Sequence, residues 1–275
     1  MNGSAAAPAE PGPSAAEAAE VLDAIPRELG RAWKAAGGPP PGTGCELWTA
    51  YELQWLGPGG IVHAATLGIV TPGTSRNIIE SRSLKMYLFG FRRRVFASED
   101  ELLACMRAHL TALLECEPAL ALNPRRVPRE SADFDVVLRI RYRPDLAAKS
   151  RQDVTAHLRR AVIPGAAVVA KTVHVPGYMS LCPLSGQPDY ADVDLFYEGP
   201  DVDWEVVGDY LATFSDLQGF HEDCTDRVMH DFVATFRPRK LHYAQRYLRR
   251  GGIECHVVRA YGCPLDSTKY RFSRH

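Results

Sequence analysis

The stretch ELWTAYELQWL-GPGG-IVHAATLGIV, residues 46–70, sets the fold. Trp, Tyr, Leu, Val and Ile crowd both of its arms, and such side chains suit a pleated, half-buried surface. Gly57, Pro58, Gly59 and Gly60 punctuate the middle, so residues 46–56 and 61–70 read as two antiparallel strands of a hairpin. Beyond them, residues 78–91 read as helix. Ser98 followed by Glu101 has capping-box spacing, and Leu102, Leu103, Met106, Leu110, Leu113 and Leu114 then recur at helical period, marking a stripe that faces a core. Residues 134–142 alternate as a strand.

The second half repeats that order of elements without a close sequence repeat. Strands fall at about 168–178 and 191–198, and a helix places Trp204, Val207, Tyr210 and Leu211 on one face. Another helix starts near His221, carries Cys224, Val228, Phe232 and Val233 inward and ends before Pro238. Strands at 240–249 and 253–260 pair around Gly251-Gly252. The expectation is an α+β protein of two similar modules. A flexible N-terminal segment, 1–44, has one helical patch at 15–29 and is closed by Gly37-Gly38-Pro39-Pro40-Pro41-Gly42, so ordered structure is expected from about Cys45. The first module takes 45–145, a polar, Arg-rich connection 146–166, and the second module 167–275.

Composition agrees with a folded chain and narrows its partners. The 275 residues are 46% hydrophobic, which excludes disorder along the whole length. Lys and Arg number 32 against 33 Asp and Glu, a balance that argues against a protein held mainly by nucleic-acid phosphates or an acidic membrane. No apolar run approaches the roughly 20 residues that span a bilayer, and the N-terminus has no basic region followed by an apolar one. Seven cysteines, an odd number without Cys-x-x-Cys spacing, read as reduced thiols in a cytoplasmic protein and give no support to a zinc knuckle.

Four segments could carry chemistry. Cys182 lies in SLCPLSGQPD, residues 180–189, where Pro, Gly and Ser argue for an irregular loop. A loop thiol reads equally as a nucleophile and as a small buried hydrophobe. Asp189 reads as a turn former or as a carboxyl able to relay a proton for that thiol. Phe220-His221-Glu222 opens a helix, where an acid is favoured by the helix dipole whether or not it binds anything. In Ile79-Glu80-Ser81-Arg82-Ser83-Leu84-Lys85-Met86-Tyr87-Leu88 the polar residues can cap a helix through Ser81 or bind a ligand. Arg249-Arg250-Gly251-Gly252 is a turn whose arginines point to solvent or grip phosphate.

In this order, the four segments resemble the queuosine-pathway nitrile reductase family, QueF, in its long form. Residues 80–88 look like the family's Glu-Ser-Lys-Ser-(Leu/Phe)-Lys-x-Tyr-Leu motif, and Gln187-Pro188-Asp189 after Cys182 looks like its loop signature. Phe220-His221-Glu222 with Cys224, the Arg-Arg-Gly-Gly turn, and Trp48-Thr49, Tyr51-Glu52-Leu53 and Trp55-Leu56 fit as well, so the likeness covers roughly 45–259. The resemblance implies two fused tunnelling-fold modules, each an antiparallel sheet with two helices on one face. It also implies reduction of 7-cyano-7-deazaguanine to 7-aminomethyl-7-deazaguanine by two NADPH. Carried over, Cys182 is the nucleophile, Asp189 the proton donor and His221 an aid to the later proton transfers. Glu80, His221 and Glu222 hold the deazaguanine, with Ile79 and Ser81 lining the base. Ser81, Arg82, Arg250 and Gly251 take the NADPH-contacting positions. No metal is implied, and the family points to a cytoplasmic homodimer with a small-molecule substrate, no direct nucleic acid and no membrane.

The residue types suit that chemistry. A nitrile accepts hydride poorly, whereas a thiolate converts it to a thioimide that accepts hydride readily. Two departures stand out. Arg82 replaces the usual Lys, and Ile253-Glu254-Cys255-His256 follows the two glycines where the family reads Asp-Ile-Asn-Pro. The competing readings are a relative that lets ammonia attack the thioimide, a zinc cyclohydrolase-like enzyme, which Ser185 disfavours where a His would be wanted, and a non-catalytic deazapurine binder.

Overall fold

The structure, a computed structural model, describes residues 10–30, 42–124, 134–141, 144–147 and 150–265. The hairpin is present as β3 (Thr43–Leu56) and β4 (Val62–Pro72). After β5 (Asn77–Ile79), α3 (Ser81–Gly90), β6 (Arg94–Val95) and α4 (Glu99–Leu114), β7 (Ala119–Leu122) pairs with the far edge of β4. The second half supplies β9 (Val168–Leu181), β10 (Pro188–Pro200), α7 (Trp204–Ala212), α8 (His221–Phe236), β11 (Lys240–Tyr247) and β12 (Ile253–Tyr261). Strands from both halves join in one sheet, ordered β7-β4-β3-β12-β11-β10-β9, because β12 pairs antiparallel with β3 from Ile253↔Ala50 to Ala260↔Thr43. One hydrophobic core links Trp48, Leu67, Val193 and Val257 of the sheet to α3, α4, α7 and α8. The protein is α+β.

A bulge sets which residues reach that core. Ala50 pairs with Leu67 and Leu53 with Ala65, so β3 carries one extra residue at Tyr51-Glu52. Side chains alternate along a strand, and the extra residue resets the phase. Trp48 and Ala50 before it and Leu53 and Trp55 after it therefore all join the same core.

Several expectations need correction. Order does not begin near Cys45: β1 (Glu10–Pro11), α1 (Ala15–Val21), β2 (Ala24–Pro26) and α2 (Arg27–Gly30) precede it. The Ala- and Pro-rich composition suggested a tail, but Ser14 and Glu17 form a capping box on α1, and Ala18 and Leu22, one turn apart, are buried in the core. The patch at 15–29 is thus a helix, a strand and a short turn of helix; residues 1–9 and 31–41 lie outside the described residues. The connection at 146–166 is not merely polar. It takes in the end of α5 (Pro144–Ala147) and all of α6 (Arg151–Leu158), and Leu146, Val154, Leu158 and Ala161 are buried, with α6 packed on α7. The strand expected at 134–142 shrinks to β8 (Val136–Val137), parallel to β9, and Tyr142 lies outside the described residues. Several short strands of the first half went unread: β5 takes Ile78 and Ile79 from the expected helix, and the Ala-Leu-Ala-Leu run of β7 has too little branched or aromatic character to announce itself. The capping box at Ser98 is half made: Ser98 Oγ accepts from the Glu101 N–H at 3.2 Å, while Glu101 accepts from Ala97 instead. Among the described residues no helix is long and apolar enough to cross a membrane.

Candidate active site

Cys182 begins the six-residue loop between β9 and β10. Its N–H donates to Gln187 O at 2.8 Å and its carbonyl accepts from Gly186 N–H at 2.8 Å, so the loop closes on itself around the half-buried thiol. Gly186 takes a φ of 66°, a left-handed turn that a side chain would strain. The Gly219 N–H donates to Leu181 O at 3.0 Å, which ties this loop to the entrance of α8.

Asp189 follows on β10 opposite Ser180 and is buried. One carboxylate oxygen pairs with Arg250 at 2.9 Å and the other lies 3.5 Å from His221 Nε2. The His221 ring stacks on Tyr247 with centroids 3.6 Å apart, which fixes the imidazole edge toward Asp189. Glu222, the second residue of α8, is buried too. Burial and the nearby Glu46 carboxylate push its carboxyl above the ordinary range, and His221 and Arg27 partly offset them.

The first half contributes the opening of α3. Ile79 ends β5, paired with Ala24 of β2. Glu80, and not Ser81, caps the helix: its carboxylate accepts from Arg82 N–H at 2.9 Å and Ser83 N–H at 2.6 Å. Ser81 and Arg82 form the first turn, and Lys85 lies one turn further along. In the turn after β11, Gly251 has a φ of 55°, and a Cβ there would touch the Lys85 stem at 3.4 Å. Desolvation and the adjacent Arg250 lower the affinity of the Lys85 amine for its proton.

These segments converge on one cavity of about 580 Å³. Ile79, Glu80, Ser81 and Arg82 line it from one half and Cys182, Asp189, His221, Glu222 and Arg250 from the other. Gly251 is off the wall, packed against Lys85. The cavity also takes Asp23, Trp48, Lys85, Tyr247, Glu254 and Cys255, to which sequence reading gave no site role. Lys85 was findable, three residues after Arg82 on a helix. Trp48 and Cys255 become neighbours only through the β3–β12 register. Asp23 carried no signal while its segment read as a tail. Among the described residues no group of three or more His, Cys, Asp and Glu side chains could hold a metal ion.

Family models match both halves of the chain: residues 15–122 match "nitrile reductase, 7-cyano-7-deazaguanine-reductase N-term", and residues 188–265 match "QueF-like protein". The chain belongs to the QueF nitrile reductase family. The QueF match starting at residue 15 takes in the N-terminal elements that composition had set aside. A NADPH-dependent 7-cyano-7-deazaguanine reductase of Burkholderia pseudomallei is 31% identical over 255 residues, 90% of each chain. Relatives with the same name in Albidiferax ferrireducens and Coxiella burnetii are 32% and 31% identical, covering 88% of this chain and 88% and 86% of theirs.

Proposed function

We propose that this QueF chain reduces the nitrile of 7-cyano-7-deazaguanine to the aminomethyl group, through a thioimide on Cys182 and with two NADPH per nitrile, in the pathway to queuosine. The observation that supports it best is the convergence of the loop thiol, a buried carboxylate, a histidine and a buried glutamate on one cavity in a chain of this family. In the same reading the chain is two fused tunnelling-fold modules working as a cytoplasmic homodimer without a metal.

Asp189, as a carboxylate held by Arg250 and His221, takes the thiol proton of Cys182 and hands it to the nitrile nitrogen as Sγ adds to the carbon. The product is a neutral thioimide, with one S–C bond formed and one C–N π bond consumed. NADPH, when bound, supplies the hydrides that take this carbon to the amine. Cys182 leaves as thiolate when the tetrahedral carbon collapses to the imine, and His221 supplies protons to the nitrogen in the later steps. Glu222 and Glu80 accept hydrogen bonds from the guanine-like face, and Ile79 and Ser81 line the base. A base lacking those donors leaves a buried carboxylate unpaired, a penalty on the order of thousandfold in selectivity.

The residues present suit a phosphate-bearing cofactor. Arg82, Lys85 and Arg250 crowd like charges at one side of the cavity, an arrangement that an anion relieves. These three, with Ser81 and the Gly251 turn, would hold NADPH. The deciding experiment is the NADPH oxidised per 7-cyano-7-deazaguanine added. Two per nitrile, lost in Cys182→Ala, is the expected result. Undiminished turnover in Cys182→Ala overturns the covalent route.

A further inference from the structure

Arg27 is a buried guanidinium delivered by the segment that precedes the sheet, and every nitrogen on it is engaged. Two nitrogens grip Glu46 of β3 at 3.1 and 2.9 Å, Nε donates to Ser75 O at 2.9 Å, and one nitrogen also donates to Ser75 Oγ at 2.6 Å. Glu46 in turn accepts from Thr71 Oγ1 at 2.8 Å and from Arg259 of β12 at 2.9 Å, and Arg259 reaches Asp226 of α8 at 2.6 Å. The network faces the helix that carries Glu222: α2 packs on α8, Arg259 binds Asp226 of α8, and Glu46 shares its face of β3 with Trp48, which lines the cavity together with Glu222. The groups that act on Glu222 come from four elements: His221 on its own helix, Arg27 from α2, Glu46 from β3 and Cys255 from β12. Burial with Glu222 and Glu46 holds the Cys255 thiol neutral, so the balance is struck among the Glu222 and Glu46 carboxylates, the guanidinium groups of Arg27 and Arg259, and the His221 ring.

We propose that Arg27 is a positioning residue of the substrate site: clamped on Glu46, it neutralises that carboxylate and so keeps Glu222 available as the anion that receives the guanine-like face. The inference rests on the substrate role assigned above to Glu222. It makes the N-terminal segment part of the recognition apparatus. That segment is registered to the site by β2–β5 pairing, by the Asp23 N–H on Ser83 Oγ at 3.0 Å and by the Glu80 N–H on Asp23 O at 3.3 Å.

The test measures non-covalent binding of 7-cyano-7-deazaguanine to the full chain carrying Cys182→Ala, across roughly pH 4 to 8. Binding requires ionised Glu222, so affinity falls on an acid limb. Arg27→Gln is expected to move that limb to higher pH, costing about tenfold in affinity along it. Arg27→Lys should restore most of the loss, and Glu46→Gln should move the limb the opposite way, a reversal that mere destabilisation does not produce. Should Arg27→Gln fail to fold, Arg27→Lys and Glu46→Gln decide the matter by the same displacements. A limb abolished by Glu222→Gln but unmoved by the Arg27 and Glu46 variants overturns the inference alone. If Glu222→Gln binds as the parent does, the role of Glu222 falls and the inference with it.

Discussion

Glu222 is held in the fold at a cost. Its carboxyl is pushed up by burial and Glu46, whereas in the unfolded chain it titrates in the ordinary range. Below that range it is protonated in both states. As pH rises through the higher folded value, the native state must carry an ion that water carries more easily, and stability is lost. Glu222→Gln is therefore expected to be more stable than the parent at pH 8, on the order of 1 kcal/mol, with the difference vanishing near pH 4. Thermal melts at the two pH values check it, and equal melting temperatures at both contradict it. Glu46 has the opposite sign. Arg27 and Arg259 hold its carboxyl below the ordinary range, so its contribution is present above that range and lost as pH falls through the depressed value.

Among the elements, the N-terminal strap, residues 10–30, can be loosened at Leu22, which is not itself in the cavity wall. Leu22 is buried in the core, and Leu22→Ala removes its apolar anchorage, costing about 2–4 kcal/mol. Limited proteolysis should then cut between residues 10 and 30 ahead of the sheet; cutting that remains distributed as in the parent would mean the strap is held by other contacts. The strap also shows where sequence reading stopped. The four strands and two helices of the second half were legible because their apolar period is long and their breaks are Gly or Pro. Cys182, Asp189, His221 and Glu222, which the fold gathers at one cavity, were ambiguous by residue type alone and stood out through the family resemblance. The strap was not, since Ala and Pro dilute the stripe of Ala18 and Leu22, and the anchor, Arg27, acquires meaning only opposite Glu46, which is 19 residues away. Glu80 was read as a ligand beside a serine cap, yet its own carboxylate caps α3. A helix opening looks alike in sequence whichever polar side chain closes it.

At the scale of the molecule, the β3–β12 seam makes the two halves one cooperative body. Arg259 on β12 bridges Glu46 of the first half and Asp226 of the second, almost fully buried. Arg259→Met removes the cation shared by two buried carboxylates and is expected to cost about 3–5 kcal/mol. Unfolding followed by far-UV and near-UV circular dichroism should remain one coincident transition at lower denaturant, and two separated transitions would show that the halves unfold independently. The bulge at Tyr51-Glu52 has a bearing on descent. Its extra residue keeps Leu53 and Trp55 facing the core, and the Tyr51 N–H holds Gly252 O at 2.9 Å beside the Arg250 turn. Loss of a single codon there would turn both apolar side chains to solvent and unfasten that turn, while the exposed tip at 58–61 can lengthen freely. Insertions and deletions in lineages of this gene should therefore collect in the hairpin loop and spare the four codons from Ala50 to Leu53.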